Sequence, residues 1–209
     1  MASRPVNPAL VRAYDLRGRV GDTLTTDDAE ALGRRVAAHL AGRRRVAVGY
    51  DGRMSSPGLE AALVAGLVAG GATVARSGLG PTGMLYHAVH AHDLDGGVMV
   101  TGSHNPPDEN GFKLLLGREP LFGEALAALA AGSDHLALGG GAETLAVTDQ
   151  YIERLVKAAA GAPLRVGWDP GHGAAAAVLP RLVVRLPSTT TSSSRYSAPA
   201  CSRSLRIDG

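Results

Sequence analysis

Apolar residues at Ala29, Leu32, Val36 and Leu40 recur every three or four positions, the spacing that turns one face of a helix toward a core. Thr and Asp at the head of this run (23–42) are candidate helix caps. A short β-rich run, RVAVGY (45–50), follows. In DGRMSSPG, Ser56-Pro57 reads as an N-cap with proline at the first helical position, opening a helix to about Gly70. The same alternation continues. ATVARSG predicts a strand, PTGMLYHAVHAH a helix, and GGVMVTG and FKLLL two more strands. Farther on, EALAALAAG reads as helical, LALGGGAETLAVTDQ as turn-rich, and DQYIERLVKAAAG as a helix.

Strands of four to seven residues with helices between them predict an α/β layer architecture. Residues 45–67 and 164–186 share one order of events: a Val-containing strand, Gly, an aromatic, Asp, a Gly-containing turn and an Ala/Leu/Val helix. This echo predicts a second α/β unit starting near residue 150. It is expected to be incomplete, because from Pro187 the chain turns Ser/Thr/Arg-rich and loses apolar periodicity. The predicted organisation is a first domain over 1–148, an incomplete second α/β unit over 149–186, and a disordered tail over 187–209. The abrupt change of composition near 187 suggests a frameshift.

Composition narrows the function. Aromatic residues are 4% of the chain, so Ala, Val and Leu must fill the core. The 21 basic and 19 acidic side chains balance to +2, which argues against nucleic-acid or membrane partners. The densest basic run, Arg43-Arg44-Arg45, is expected to complement a helix C-terminus. One cysteine, Cys201, rules out an internal disulfide, and the cytosol is the simplest compartment. No apolar run approaches the length of a membrane span.

The chemistry concentrates in VMVTGSHNPPDENGFKLLLG (98–117). Ser103 directly follows a strand, where ligands gather in α/β folds. His104, Asn105, Asp108, Glu109, Asn110 and Lys113 surround it in sequence. Gly102 is expected to let amides turn toward the serine oxygen, Pro106 and Pro107 to stiffen the loop, and Gly111 to permit a tight exit. Two chemistries suit the loop. One is an attacking serine hydroxyl. The other is a phosphoserine, whose charge of about −1.5 to −2 needs cations and N–H donors such as Lys113 and the loop amides.

TGSHNPPDENGFK resembles the phosphoserine loop of the α-D-phosphohexomutases, the phosphomannomutase/phosphoglucomutase family. AYDLRGRVGDTLT (13–25), VGYDGRMSSPGL (48–59), GPTGMLYHAV (80–89) and WDPGHGAA (168–175) resemble further segments in the same order. The resemblance spans about residues 10–186. It implies a three-layer mixed sheet with helices on both faces. It implies phosphate transfer between C1 and C6 of a hexose through phosphorylated Ser103 and a bisphosphate intermediate. His104, Lys113 and Arg17 would join Ser103 in catalysis, with Tyr14, Arg17 and Lys113 binding the phosphosugar substrate. Mg²⁺ would meet the chain through the Ser103 phosphate, with glucose or mannose bisphosphate as activator.

Tyr50, Glu109 and His172 depart from the family pattern. The Asp-Gly-Asp-x-Asp metal loop, the Gly-Glu-x-Ser-Gly-His sugar loop and the C-terminal phosphate loop have no counterpart in these residues. The expectation is therefore a truncated chain that binds Mg²⁺ weakly and is inactive alone. The alternative is a non-catalytic phosphosugar- or partner-binding remnant. Mannose or glucose preference and oligomeric state stay open.

Other features read as structural. Asp15 and Arg17 taken alone suggest a local ion pair or fold support for the first strand, and Asp51 and Arg53 a turn brace. His87, His90 and His92 have the spacing of a solvated helix face rather than a complete metal site. His39 and His135 are expected at the surface. Cys201 has no neighbours that would activate it. No Gly-x-Ser-x-Gly elbow or Lys-containing P-loop is present.

Overall fold

The computed structural model describes residues 5–40, 44–134, 136–159, 166–171 and 173–186. The tail over 187–209, His135, His172 and Cys201 lie outside them. Seven strands form one mixed sheet in the order β1-β5-β4-β2-β3-β7, with β6 also on β5. They are β1 (Leu16–Arg19), β2 (Arg45–Tyr50), β3 (Thr73–Leu79), β4 (Gly96–Val100), β5 (Glu109–Leu116), β6 (Glu119–Leu121) and β7 (Gly141–Thr144). β4, β2, β3 and β7 run parallel, while β5 is antiparallel to β4, β1 and β6.

Strand periodicity divides the core into two layers. Val46, Val48, Val98, Phe112 and Leu114 face one cluster, which also holds Leu32, Leu63 and Leu126. These last three come from α1 (Thr26–His39), α2 (Ser56–Ala69) and α4 (Gly123–Ala131). The alternate residues Ala47, Met99 and Leu115 face a second cluster with Leu85, Ile152 and Leu182. Those three belong to α3 (Thr82–Ala91), α5 (Thr148–Ala158) and α6 (Leu179–Val183). Helices therefore cover both faces of the mixed sheet, as expected. The α5–α6 segment packs its apolar side chains into the same layer as α3.

Local chemistry explains the helix starts. Thr25 caps α1, and its side chain and that of Asp28 complete a reciprocal capping box. Asp28 also accepts from the Asn7 amide at 3.2 Å, tying the N-terminal segment to the helix. The α2 start differs from the expectation. Ser55 occupies the cap, but its side chain makes no capping bond to the helix. Ser56, fully buried, instead donates to Asp51 at 2.6 Å. α1 and α2 approach closely because Gly33 and Gly66 lack side chains. A Cβ at 33 would lie 2.3 Å from the Leu63 carbonyl oxygen, and one at 66 would lie 2.0 Å from that of Glu30. Arg44 donates to the Gly70 carbonyl at 3.0 Å. Arg44 of the basic run thus serves the C-terminus of α2.

His39 is exposed, as expected. His87 departs from the solvated face assigned to it. Its ring packs 5.8 Å from that of Tyr151 on α5. Its buried Nε2 has no hydrogen-bond partner among the described residues. Burial, reinforced by the charges of His92, Arg154 and His90, pushes its pKa below the ordinary imidazole value. The unfolded chain therefore binds this proton at a higher pH than the folded one. Stability from this site is complete above the ordinary imidazole value and falls as acid takes the folded His87 through its own pKa. Melting temperature is expected to drop between about pH 7 and pH 5, and His87→Phe to flatten that part of the curve.

Candidate active site at the Ser103 loop

The carboxyl end of β4 leads through Thr101 and Gly102 to Ser103, which is exposed. Ser103 adopts a left-handed backbone, φ 49°, a conformation a non-glycine residue keeps only where its surroundings over-determine it. Three anchors do so. The Ser103 amide donates to Thr101 Oγ1 at 2.9 Å, and the Gly102 amide to Asp51 Oδ2 at 3.0 Å. The third is Arg53. Its guanidinium donates to the carbonyl oxygens of Ser103 (3.1 Å), Asn105 (2.7 Å), Pro106 (2.6 Å) and Glu109 (2.9 Å).

Arg53 is thus the brace expected of it, but it braces the whole serine loop rather than its own turn. Gly102 has a different duty from the one expected. A Cβ there would lie 2.0 Å from Arg53 Nε, so the glycine makes room for the guanidinium. Gly111 likewise belongs to β5 rather than to an exit turn. It sits opposite Arg17, and a Cβ would approach the Leu16 carbonyl oxygen to 2.0 Å. Buried Asn110 donates to Ser55 Oγ and Ser56 Oγ, both at 2.9 Å, fastening the loop exit to the start of α2. The departure at Glu109 is absorbed locally, since Asn105 donates to its carboxylate at 2.6 Å.

β1 and β5 deliver the cations. Arg17 donates to Ser103 Oγ at 2.9 Å, to the Thr101 carbonyl at 2.9 Å and to Asp15 Oδ2 at 2.7 Å. Lys113 donates to the same Asp15 oxygen at 2.9 Å. The local ion pair expected for Asp15 and Arg17 is present, and it also aims Arg17 at the serine. Burial alone raises the Asp15 pKa, but the bonds from Arg17 and Lys113 outweigh it and hold the carboxyl below the usual carboxylate range. The carboxylate stays ionised and keeps both cations at the mouth of the sheet.

Ser103, His104, Lys113, Arg17 and Tyr14 all line one open cleft of about 860 Å³. His104 is exposed there, and Tyr14 is 74% exposed at the rim. A second cleft of about 650 Å³ meets Ser103 from the side of Asp51 and Thr82. The structure brings every expected site residue together. It adds Thr101 and Asp15 as organisers that sequence reasoning did not assign to the site. The adjacent Gly-Ser-His run was the only signal near Thr101, and nothing in its own residue type marked it.

The side chains of this cleft do not by themselves complete a magnesium site. Among the described residues no group of three or more His, Cys, Asp or Glu side chains is placed to hold a metal. The nearby carboxylates are committed: Asp15 to Arg17 and Lys113, Asp51 to Ser56 and the Gly102 amide, Glu109 to Asn105. Mg²⁺ wants several oxygen ligands, so no step below is routed through it. No helix among the described residues is long and apolar enough to cross a membrane.

Similarity to known proteins identifies the family and the fold. Residues 8–131 match the family model for phosphoglucomutase/phosphomannomutase, alpha/beta/alpha domain I. The chain is 41% identical over 192 residues to the phosphomannomutase/phosphoglucomutase of Pseudomonas aeruginosa, covering 88% of this chain and 42% of that protein. It is 48% identical over 124 residues to a phosphoglucomutase of Neisseria gonorrhoeae, covering 58% of this chain and 27% of that one. A crystal structure of a phosphoglucomutase/phosphomannomutase family protein from Burkholderia thailandensis superposes with a TM-score of 0.80 at 33% identity, over 90% of this chain and 44% of that one. The chain therefore spans less than half the length of these relatives. With the family model, the curated relatives and the solved structure in agreement, the chain belongs to the phosphoglucomutase/phosphomannomutase family.

Proposed function

We propose that Ser103 carries phosphate in a phosphohexomutase reaction that interconverts hexose 1-phosphate and hexose 6-phosphate through a bisphosphate. The observation that carries this reading is the Arg17–Ser103 Oγ bond on an exposed serine held in a left-handed turn. In the forward half, the free hydroxyl of the hexose phosphate attacks the phosphorus on Ser103 and the P–O bond to the serine breaks. The hydroxyl proton leaves to a base, for which exposed His104 is the cleft's candidate. The sugar then turns over. The serine oxygen attacks the phosphorus of the other phosphate, the P–O bond to the sugar breaks, and the sugar oxygen leaves as a hydroxyl by taking back the proton that the base held.

Arg17 lies against the oxygen that alternately leaves and attacks, where it offsets developing charge. Lys113 adds a cation to the same cleft, and Tyr14 offers a wall for the sugar. The hexose substrate, the bisphosphate activator and the Mg²⁺ dependence rest on family membership.

The test is to incubate the chain with glucose bisphosphate and Mg²⁺, then locate the label by peptide fragmentation. The expected result is one phosphate on Ser103. No uptake, or phosphate on Ser55, Ser56 or Thr101 instead, would refute the reading. A coupled assay with mannose 1-phosphate or glucose 1-phosphate reports separately whether the full cycle turns over.

A further inference from the structure

Two Phe, one Trp and five Tyr supply every aromatic side chain of the protein. Two of these stand together in solvent at one rim of the cleft. Tyr14 is 74% exposed and Phe122 is 54% exposed, with ring centroids 6.1 Å apart and planes tilted by 42°. Exposed aromatic area is unfavourable in water, and neither ring contributes to the two core clusters. The pair is nevertheless firmly mounted. Phe122 caps the start of α4, whose Leu126 and Leu129 are buried in the core. The next residue, Gly123, donates its amide to the Ala13 carbonyl at 2.9 Å. Gly123 has φ 61°, a turn that a side chain would strain. α4 is thereby fixed to the chain immediately before Tyr14.

We infer that Phe122 is a positioning residue: it holds the Tyr14 ring upright as a surface for the apolar C–H face of a pyranose. This rests on the reading of the cleft as a phosphosugar site. Tyr14 lines the cleft beside Ser103 and Lys113, whereas Phe122 supports it from outside. A free tyrosine rotor loses conformational freedom when ligand arrives, and a ring already confined loses less. The benefit is confined to ligands that carry a ring to stack. Inorganic phosphate has none.

The experiment titrates glucose 1-phosphate and inorganic phosphate into the parent chain and into Phe122→Ala and Phe122→Tyr. Phe122→Ala is expected to weaken glucose 1-phosphate about three- to tenfold and leave inorganic phosphate unchanged. Phe122→Tyr, which keeps the ring, is expected to restore parental affinity. Melting temperatures verify that both variants fold, as the half-exposed position allows. Unchanged glucose 1-phosphate affinity in Phe122→Ala, or equal weakening of both ligands, would overturn the inference and leave the phosphosugar reading intact. A parent chain that binds glucose 1-phosphate no better than inorganic phosphate would overturn the phosphosugar reading and the inference with it.

Discussion

Arg17→Ala is expected to slow phosphate uptake by Ser103 about 100- to 1,000-fold, the usual cost of removing one charged donor from a reacting oxygen. The fork holds Ser103 Oγ, the Thr101 carbonyl and Asp15 Oδ2 together. Alanine removes the donor and also exposes the incoming phosphate to Asp15, with Lys113 as its remaining partner in this trio. Removing Arg17 also takes away one of the two cations that hold the Asp15 pKa down against burial, so that pKa moves up from its parental position, and the charge the carboxylate keeps repels the phosphate. Arg17→Lys keeps the charge but replaces a planar fork by one ammonium, which cannot span the same acceptors. It is expected to recover only part of the rate. Intact mass measured against time gives the rates directly, and an Arg17→Ala chain that loads as fast as the parent would remove Arg17 from the mechanism.

Arg53→Ala is expected to cost about 3 kcal/mol in urea unfolding, in the range for breaking a largely buried ion pair. Its side chain is 16% exposed and lies 3.5 Å from Asp51. The larger effect is local. Four carbonyls between Ser103 and Glu109 lose their shared donor. The left-handed Ser103 then has too little holding it against a strain of about 1–3 kcal/mol. Hydrogen exchange over 102–109 should accelerate, and Ser103 should load poorly even in the folded fraction. Gly102→Ala offers an independent route to the same state. The added methyl collides with the end of the Arg53 side chain rather than with backbone, so it should displace the guanidinium and reproduce much of the Arg53→Ala defect. Normal loading by Gly102→Ala would show that the loop does not depend on this brace.

Most of the sheet and its helices could be read from residue spacing. β2, β3 and β4 are short runs with their burial written into Val, Ala and Met, and α1 carries an apolar stripe and a capped start. Residue spacing does not predict β1, β6 or β7. β1 reads LRGR, and it is a strand because Gly111 lets β5 come close. β7 reads GAET at an exposed edge, defined by its pairing with β3 rather than by burial. The serine loop was conspicuous because so many reactive side chains crowd one turn after a strand. The bond from Arg17 to Ser103 joins residues 86 positions apart, a distance that no local pattern encodes. The family resemblance supplied Arg17. Nothing supplied Thr101, the shared oxygen of Asp15 or the left-handed serine, since each depends on strands meeting in space.

That shared oxygen makes two of the cleft's cations, Arg17 and Lys113, a single latch. Arg17 and Lys113 close on one atom, Asp15 Oδ2, so a single proton arriving there weakens both ion pairs at once. The depressed pKa sets when this happens: the latch holds through the acidity that neutralises ordinary carboxylates, then loosens as the pH drops through the lower value of the folded chain. Mild acid leaves both ion pairs intact, whereas stronger acid removes their shared charge in one step, leaving Arg17 on its bonds to Thr101 and Ser103.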